Sequence, residues 1–218
     1  MSNRNIIKLF ETRRGNLDYH LKRDYVRNGI VTLPYIISDY NEVISTYSVK
    51  GYEALNMAFS DYLKTEVEFA PPEYPIVLNI IGDCLSQTDK RIITDTIQDT
   101  FVYELGMVEK EEKRHTKVFI LLIVGLILSG ILLYFTHDVI DELRELFFVL
   151  FWFMGYTLCD YIFLTGHDIR HNRIMAGRLA SIKVVFLKNY EDPNYTKSDV
   201  DRLYSEIEKD VRESMQDE

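Results

Sequence analysis

The chain reads as a membrane protein, a two-helix transmembrane hairpin inserted between segments of a small cytosolic α+β domain. Two observations predict the hairpin and a third its insertion. The apolar runs Val118–Phe135 and Leu146–Thr165 stand close together, separated by mostly polar residues. Each approaches the roughly 20 helical residues that cross a hydrocarbon core about 30 Å thick. Within lipid, only helices and closed barrels satisfy their own backbone polar groups. A short β-branched run followed by a helical stripe then occurs on each side of the pair. The resulting division is a basic N-terminal tail (1–16), a cytosolic α+β domain (17–117), transmembrane helix 1 (118–135), a short external loop (136–145), transmembrane helix 2 (146–165) and a C-terminal cytosolic part (166–218). That last part holds a basic juxtamembrane segment, a strand and an amphipathic helix.

In chain order, the tail mixes Ile6, Ile7, Leu9 and Phe10 with Arg4, Lys8, Arg13 and Arg14. It lacks the continuous apolar core of a signal peptide, so the N-terminus is expected in the cytosol. Leu17, Leu21 and Tyr25 share one face of a helix expected over Leu17–Asn28 and ended by Gly29. Ile30–Ile37 is β-prone but carries Pro34, which predicts an edge strand or two extended pieces. Alternation over Glu42–Val49 predicts a strand closed by a Lys50-Gly51 turn. Asn56 caps a helix expected through Thr65, before Pro71-Pro72.

Tyr74–Ile81 has the continuous apolar filling of a buried strand. Ser86 and Asp89 then have capping spacing, and Ile93, Ile97, Phe101 and Leu105 form an amphipathic stripe expected to end or bend at Gly106. The charged stretch Met107–Lys117 fits a strand or a helical stalk. Beyond the hairpin, Ser181–Leu187 reads as a strand, Tyr190–Asn194 as a loop, and Ser198 as the cap of a helix with Val200, Leu203, Ile207 and Val211 on one stripe. The economical expectation is that Ser181–Leu187 joins Tyr74–Ile81 in one sheet.

Charge placement sets orientation and excludes one class of partner. The 218 residues carry a formal net charge of -9. Leu17–Glu109 holds 7 Lys/Arg against 15 Asp/Glu, and Val184–Glu218 holds 5 against 10. Neither segment has the basic stripe that nucleic acid requires. Lys110, Lys113, Arg114 and Lys117 precede the first apolar run, and Arg170, Arg173, Arg178 and Lys183 follow the second. The connection holds only Arg144. This asymmetry places both termini in the cytosol, and a bacterial inner membrane is the expected setting. Lys113, Arg114, Lys117, Arg170, Arg173 and Arg178 are expected to meet anionic lipid headgroups. The two cysteines, Cys84 and Cys159, are too few for a disulfide framework, suit a reducing compartment and are expected to be buried, unreactive thiols.

Within the runs, Gly125 with Ser129 and Gly155 with Cys159 form small-xxx-small pairs suited to helix packing, within one chain or between two. Asp160 is the ionisable side chain inside an apolar run, and such a group is costly enough to mark a candidate site. Just beyond, His167, Asp168 and His171 place two histidines on one helix side. That spacing resembles a helical zinc site, but Asp168 stands where Glu is needed and no third ligand is identifiable. Neither a metal nor a cofactor is therefore expected, and Asp160, Asp168 and the two histidines remain candidates for acid/base chemistry at a membrane surface.

Asn194-Tyr195-Thr196 spells a glycosylation site that a cytosolic location excludes. The tyrosines Tyr35, Tyr40, Tyr47 and Tyr52 are read mainly as half-buried strand residues, with a partner surface as the alternative. Together these features predict a membrane-anchored interaction or regulatory module, non-enzymatic, that binds a protein partner or self-associates. Two alternatives stay open: an oligomeric pore or transporter accessory subunit using Asp160, and a membrane-surface enzyme acting on lipid headgroups through Asp160, His167 and His171.

Overall fold

A computed structural model describes residues 26, 27, 29–135, 141–189 and 196–215. The chain is mostly helical, with one small sheet, and it divides into two compact units. One comprises Met1–Thr94 and Ser181–Glu218, the other Asp95–Ala180.

The first unit is built on strands β1 (Val26–Arg27), β2 (Ile30–Ile36), β3 (Ile76–Ile81) and β4 (Lys183–Leu187), in the order β1-β2-β3-β4. β1 turns back antiparallel onto β2 through Gly29, whose φ of 86° suits a residue without Cβ. β2 and β4 flank β3 in parallel, with Leu33 opposite Leu78 and Leu78 opposite Val184. All six residues of β3 are buried, as expected of a central parallel strand. The C-terminal segment thus completes a sheet begun before the apolar runs. Gly82 ends β3 against Ile37, where a Cβ would lie 2.6 Å from the Ile37 carbonyl oxygen.

Helices cover both faces of the sheet. Helix α1 (Met57–Phe69) is capped by Asn56, whose Oδ1 accepts from the Ala58 N–H at 3.0 Å. Phe59 of α1 meets Tyr35 edge-on at 4.9 Å. Helix α2 (Gln87–Phe135) opens with a reciprocal cap: the Asp89 N–H donates to Ser86 Oγ and the Ser86 N–H to Asp89 Oδ2. On the face carrying Ile30 and Val77 lies Val200 of helix α5 (Lys197–Ser214).

Several expectations are corrected. The helix expected over Leu17–Asn28 lies largely outside the described residues, but Val26–Arg27 at its end is strand, because Gly29 makes a hairpin turn and not a helix stop. For Ile30–Ile37 the edge-strand reading holds at Pro34, and the alternative of two extended pieces does not, since β2 runs unbroken through the proline. Val31 and Ile37 donate their N–H groups to β3, so by alternation the Pro34 nitrogen faces the open edge, where no donor is needed.

Glu42–Val49 is not a strand. It follows a 3-10 turn at Tyr40–Glu42 and joins a loop whose bridges pair Ile44 with Leu55 and Val49 with Tyr52. Burial of the consecutive residues Val43 and Ile44 cannot be met by a flat strand with one face inward. α1 runs past Thr65 to Phe69, and α2 passes straight through Gly106, with Met107–Lys117 helical. A helix-interior glycine costs only about 1 kcal/mol, which the flanking turns absorb. Thr196, not Ser198, caps α5.

In the second unit, α2 continues to Phe135, and α3 (Asp141–Asp160), a π turn (Tyr161–Thr165) and α4 (Gly166–Ala180) follow in sequence. The helical run after the connection therefore begins at Asp141, inside the segment expected to be loop, and continues through the π turn into α4, beyond Thr165. α2 and α3 lie antiparallel. A Cβ on Gly125 would touch Met154 at 3.6 Å, one on Gly130 Phe151 at 3.4 Å, and one on Gly155 Leu126 at 3.7 Å. Two helices, Gln87–Phe135 and Leu143–Ala180, are long and apolar enough to cross a membrane, and only 6% and 0% of their most apolar windows are buried. A helix that is apolar all round yet uncovered suits lipid as its surroundings.

Candidate interaction site

Two regions have unusual chemistry, one in each unit. In the first unit, the loop from Ser38 to Asn56 is tied at its base by the buried Val43 and Ile44 and by two hydrogen bonds. The Ser45 N–H donates to Ala54 O at 2.9 Å and the Asn56 N–H to Val43 O at 2.8 Å. Further out, the Ala54 N–H donates to Ser48 Oγ at 2.9 Å and the Tyr52 N–H to Val49 O at 2.8 Å. The Lys50-Gly51 turn closes the tip, with Gly51 at φ 88° and its N–H donating to Glu53 Oε1 at 2.9 Å.

This framework holds three large side chains out in solvent: Tyr47 is 95% exposed, Tyr52 86% and Val49 69%. Tyrosine in a hydrogen-bonded loop with Ser and Gly supplies contact area at little conformational cost. Burial on association is what such a group of apolar side chains gains from. The four tyrosines therefore divide. Tyr35 packs on Phe59 and on Tyr62 at 5.4 Å, whereas Tyr47 and Tyr52 are fully presented. Tyr40 lies between, its hydroxyl pKa raised by burial first and then by the negative charges of Glu53 and Asp89. The sequence signal for presentation was the turn-rich Ser-Thr-Tyr-Ser and Lys-Gly-Tyr-Glu spelling around the tip, which the apparent alternation obscured.

A groove of about 390 Å³ also lies in this unit, lined in part by Ile30, Val77, Lys183, Leu203 and Arg202. Its charges are engaged within the chain: Lys183 Nζ meets Asp210 at 2.7 Å and Arg202 Nε meets Glu206 at 3.0 Å.

In the second unit, polar and aromatic groups gather where the apolar stretch of α2 begins and that of α3 ends. Arg173 of α4 places its guanidinium on two carboxylates of α2, Glu109 at 3.3 Å and Glu112. Tyr161 lies beside Phe119 at 5.1 Å and His115 at 6.1 Å between ring centres, and His115 Nε2 is 3.8 Å from Glu111. The π turn starts at Tyr161, directly after Asp160, and closes with the Gly166 N–H on Tyr161 O. Such a wide turn adds a residue and re-aims everything after it by about 100°.

The expected site residues separate on this frame. Asp160, His167, Asp168 and His171 are all exposed. Their one described contact is His167 Nδ1 to Asp168 Oδ1 at 4.0 Å. Among the described residues no hydrogen bond or ion pair joins Asp160 to either histidine, and no three His, Cys, Asp or Glu side chains converge on a metal position.

Of the six cations expected at headgroups, Lys113, Lys117 and Arg170 are exposed, Arg114 lies 3.5 Å from Glu111, Arg173 binds Glu109 and Glu112, and Arg178 Nη1 approaches the Met175 sulfur at 3.9 Å. Gly125 and Gly155 face the opposing helix, and Ser129 is buried with its hydroxyl donating to Leu126 O at 2.9 Å. Cys84 and Cys159, expected to be buried, are both exposed, and Gly130, outside both expected pairs, occupies a contact position. Comparison of the chain with protein-family models, curated proteins and solved structures gives no match.

Proposed function

We propose that the chain is a non-enzymatic interaction module, anchored in a membrane by the α2–α3 hairpin, whose cytosolic unit offers the Tyr47–Tyr52 loop tip to a protein partner. The observation that carries this reading is the presentation of Tyr47, Val49 and Tyr52 on a loop that is internally hydrogen-bonded. Exposed aromatics held in place lose little freedom on binding, which is the property of interface anchors. The flanking Asp39, Glu42 and Glu53 outweigh Lys50, so the complementary partner surface is apolar with a basic rim. Uncovered apolar helices and the basic flanks at 110–117 and 170–183 support anchoring with the first unit on the cytosolic side.

The test compares the full chain with its Tyr47→Ser/Tyr52→Ser variant, both solubilised mildly and captured with their bound proteins. Retention of a partner is expected to fall by about ten-fold or more, the scale of losing interface anchors, with an unchanged melting temperature. An identical set of retained proteins in both samples would refute the loop as the contact.

A further inference from the structure

We infer that the outer edge of β4 pairs antiparallel with the same strand of a second copy, so that two sheets join across a two-fold axis at Val185. The two edges of the sheet are treated differently by the sequence. On the β2 side, β1 covers Ile30 and Val31, and beyond it Pro34 turns its nitrogen outward. Both a covering strand and an edge proline prevent further pairing. On the β4 side neither device is present among the described residues. Lys183–Leu187 reads Lys-Val-Val-Phe-Leu, has no proline or bulge, and pairs among the described residues with β3 alone. Its one charge, Lys183, is held by Asp210 of α5.

The backbone alternation decides what this edge accepts. The Gly82 N–H donates to Leu187 O at 3.0 Å, so Leu187, Val185 and Lys183 turn their peptide groups toward β3. Val184 and Phe186 turn theirs outward. In an antiparallel pair, residues facing each other across a narrow site exchange two hydrogen bonds. A two-fold axis at Val185 sets Val184 opposite the partner's Phe186, and Phe186 opposite the partner's Val184. Every outward N–H and C=O of the strand is then used. Lys183 falls opposite Leu187, so no like charges meet, and Val185, 36% exposed, faces its own copy as a non-hydrogen-bonded pair. The strand is self-complementary in this register, which is what an isologous contact requires. This contact is separate from the loop tip and stands without it.

The experiment uses the full chain with Cys84→Ser and Cys159→Ser, leaving one introduced thiol. Cα atoms of a non-hydrogen-bonded pair lie close enough for a disulfide, so Val185→Cys should cross-link under mild oxidation about ten-fold more than an exposed control, Glu68→Cys. Val184→Pro removes an outward N–H while sparing the hydrogen bonds to β3, and should abolish that cross-link while the cooperative unfolding transition is retained. Val185→Lys and Val185→Glu supply a test independent of proline. Each alone should sediment as a monomer, and their mixture should restore the dimer through the Lys–Glu pair at the axis. Cross-linking at the control level, charge variants that dimerise as the parent does, or a Val185→Cys adduct with a different polypeptide would each overturn the proposal. Because Tyr47 and Tyr52 are untouched throughout, loss of the edge contact leaves the loop reading standing, and loss of partner capture by the loop variant leaves the cross-link standing.

Discussion

At the residue scale, among the described residues, the buried side chains of Thr32 on β2 and Asn79 on β3 carry polar atoms, Oγ1 and Oδ1, that have no hydrogen-bond partner. They lie on the same face of the sheet, since Thr32 pairs with Val77, two residues before Asn79. An unsatisfied buried polar atom costs about 1–3 kcal/mol, whereas an apolar isostere at the same site costs nothing of the kind. Thr32→Val keeps the β-branched shape that the strand favours and removes the orphan hydroxyl. The variant is expected to be more stable than the parent by about 1 kcal/mol, read as a higher midpoint in thermal unfolding. A lower midpoint would mean that the hydroxyl has a stabilising role. Asn79 falls inside the run whose apolar filling already predicts a buried strand, so its burial was legible in the sequence; that its Oδ1 and the Thr32 hydroxyl find no partner is decided by the register of neighbouring strands.

Among the elements, α5 is the one whose start depends most clearly on a single titrating group. Thr196 and Asp199 form a reciprocal cap in which the Asp199 carboxylate accepts from the Thr196 N–H at 2.9 Å and from its hydroxyl at 2.6 Å. The Thr196 side chain, then its backbone, lowers the Asp199 pKa, with a smaller contribution from Arg202. A folded-state pKa below the unfolded value means that the carboxylate stabilises the fold at neutral pH. That contribution is lost as pH falls through the depressed folded value. Asp199→Asn should therefore melt lower than the parent at neutral pH, and the gap should close on acidification below the ordinary carboxylate range. A gap of constant size across the titration would show that charge is not the cause. The cap spelling Thr-x-x-Asp was present in the sequence, but Ser198 competes with Thr196 for the role, and the choice is made by which hydroxyl sits one residue before the first helical turn.

Over the whole molecule, the first unit is discontinuous: β3 is flanked by β2 from the same segment and by β4 from about a hundred residues later, a separation that delays folding. Removing Ser181–Glu218 takes away β4 and α5 together. This uncovers one edge of β3 and the Ile30–Val77 face, a loss that a domain with marginal stability does not survive. A chain ending at Ala180 is expected to lose the cooperative unfolding transition of this unit and to be cleaved by protease within β2 and β3. An undiminished transition in that truncation would show that Met1–Thr94 folds without its C-terminal strand. The second unit is expected to keep its helices, since Gly125, Gly130 and Gly155 make their contacts inside Asp95–Ala180.

The sequence by itself determined the two apolar helices, the caps at Asn56 and Ser86, the buried strand β3 and the joining of Ser181–Leu187 to it. These depend on local composition and periodicity, which a chain carries wherever it is placed. Tertiary structure decided what depends on neighbours far away in the chain. It made Val43 and Ile44 the anchor of a loop and not alternating strand positions, set Tyr47 and Tyr52 in solvent while packing the half-buried Tyr35 against Phe59, and gave Arg173 to Glu109 and Glu112. It also left Asp160 and the two histidines apart. Burial and pairing are properties of the register between elements, and register is set by which strand edge and which helix face remain once the core has closed.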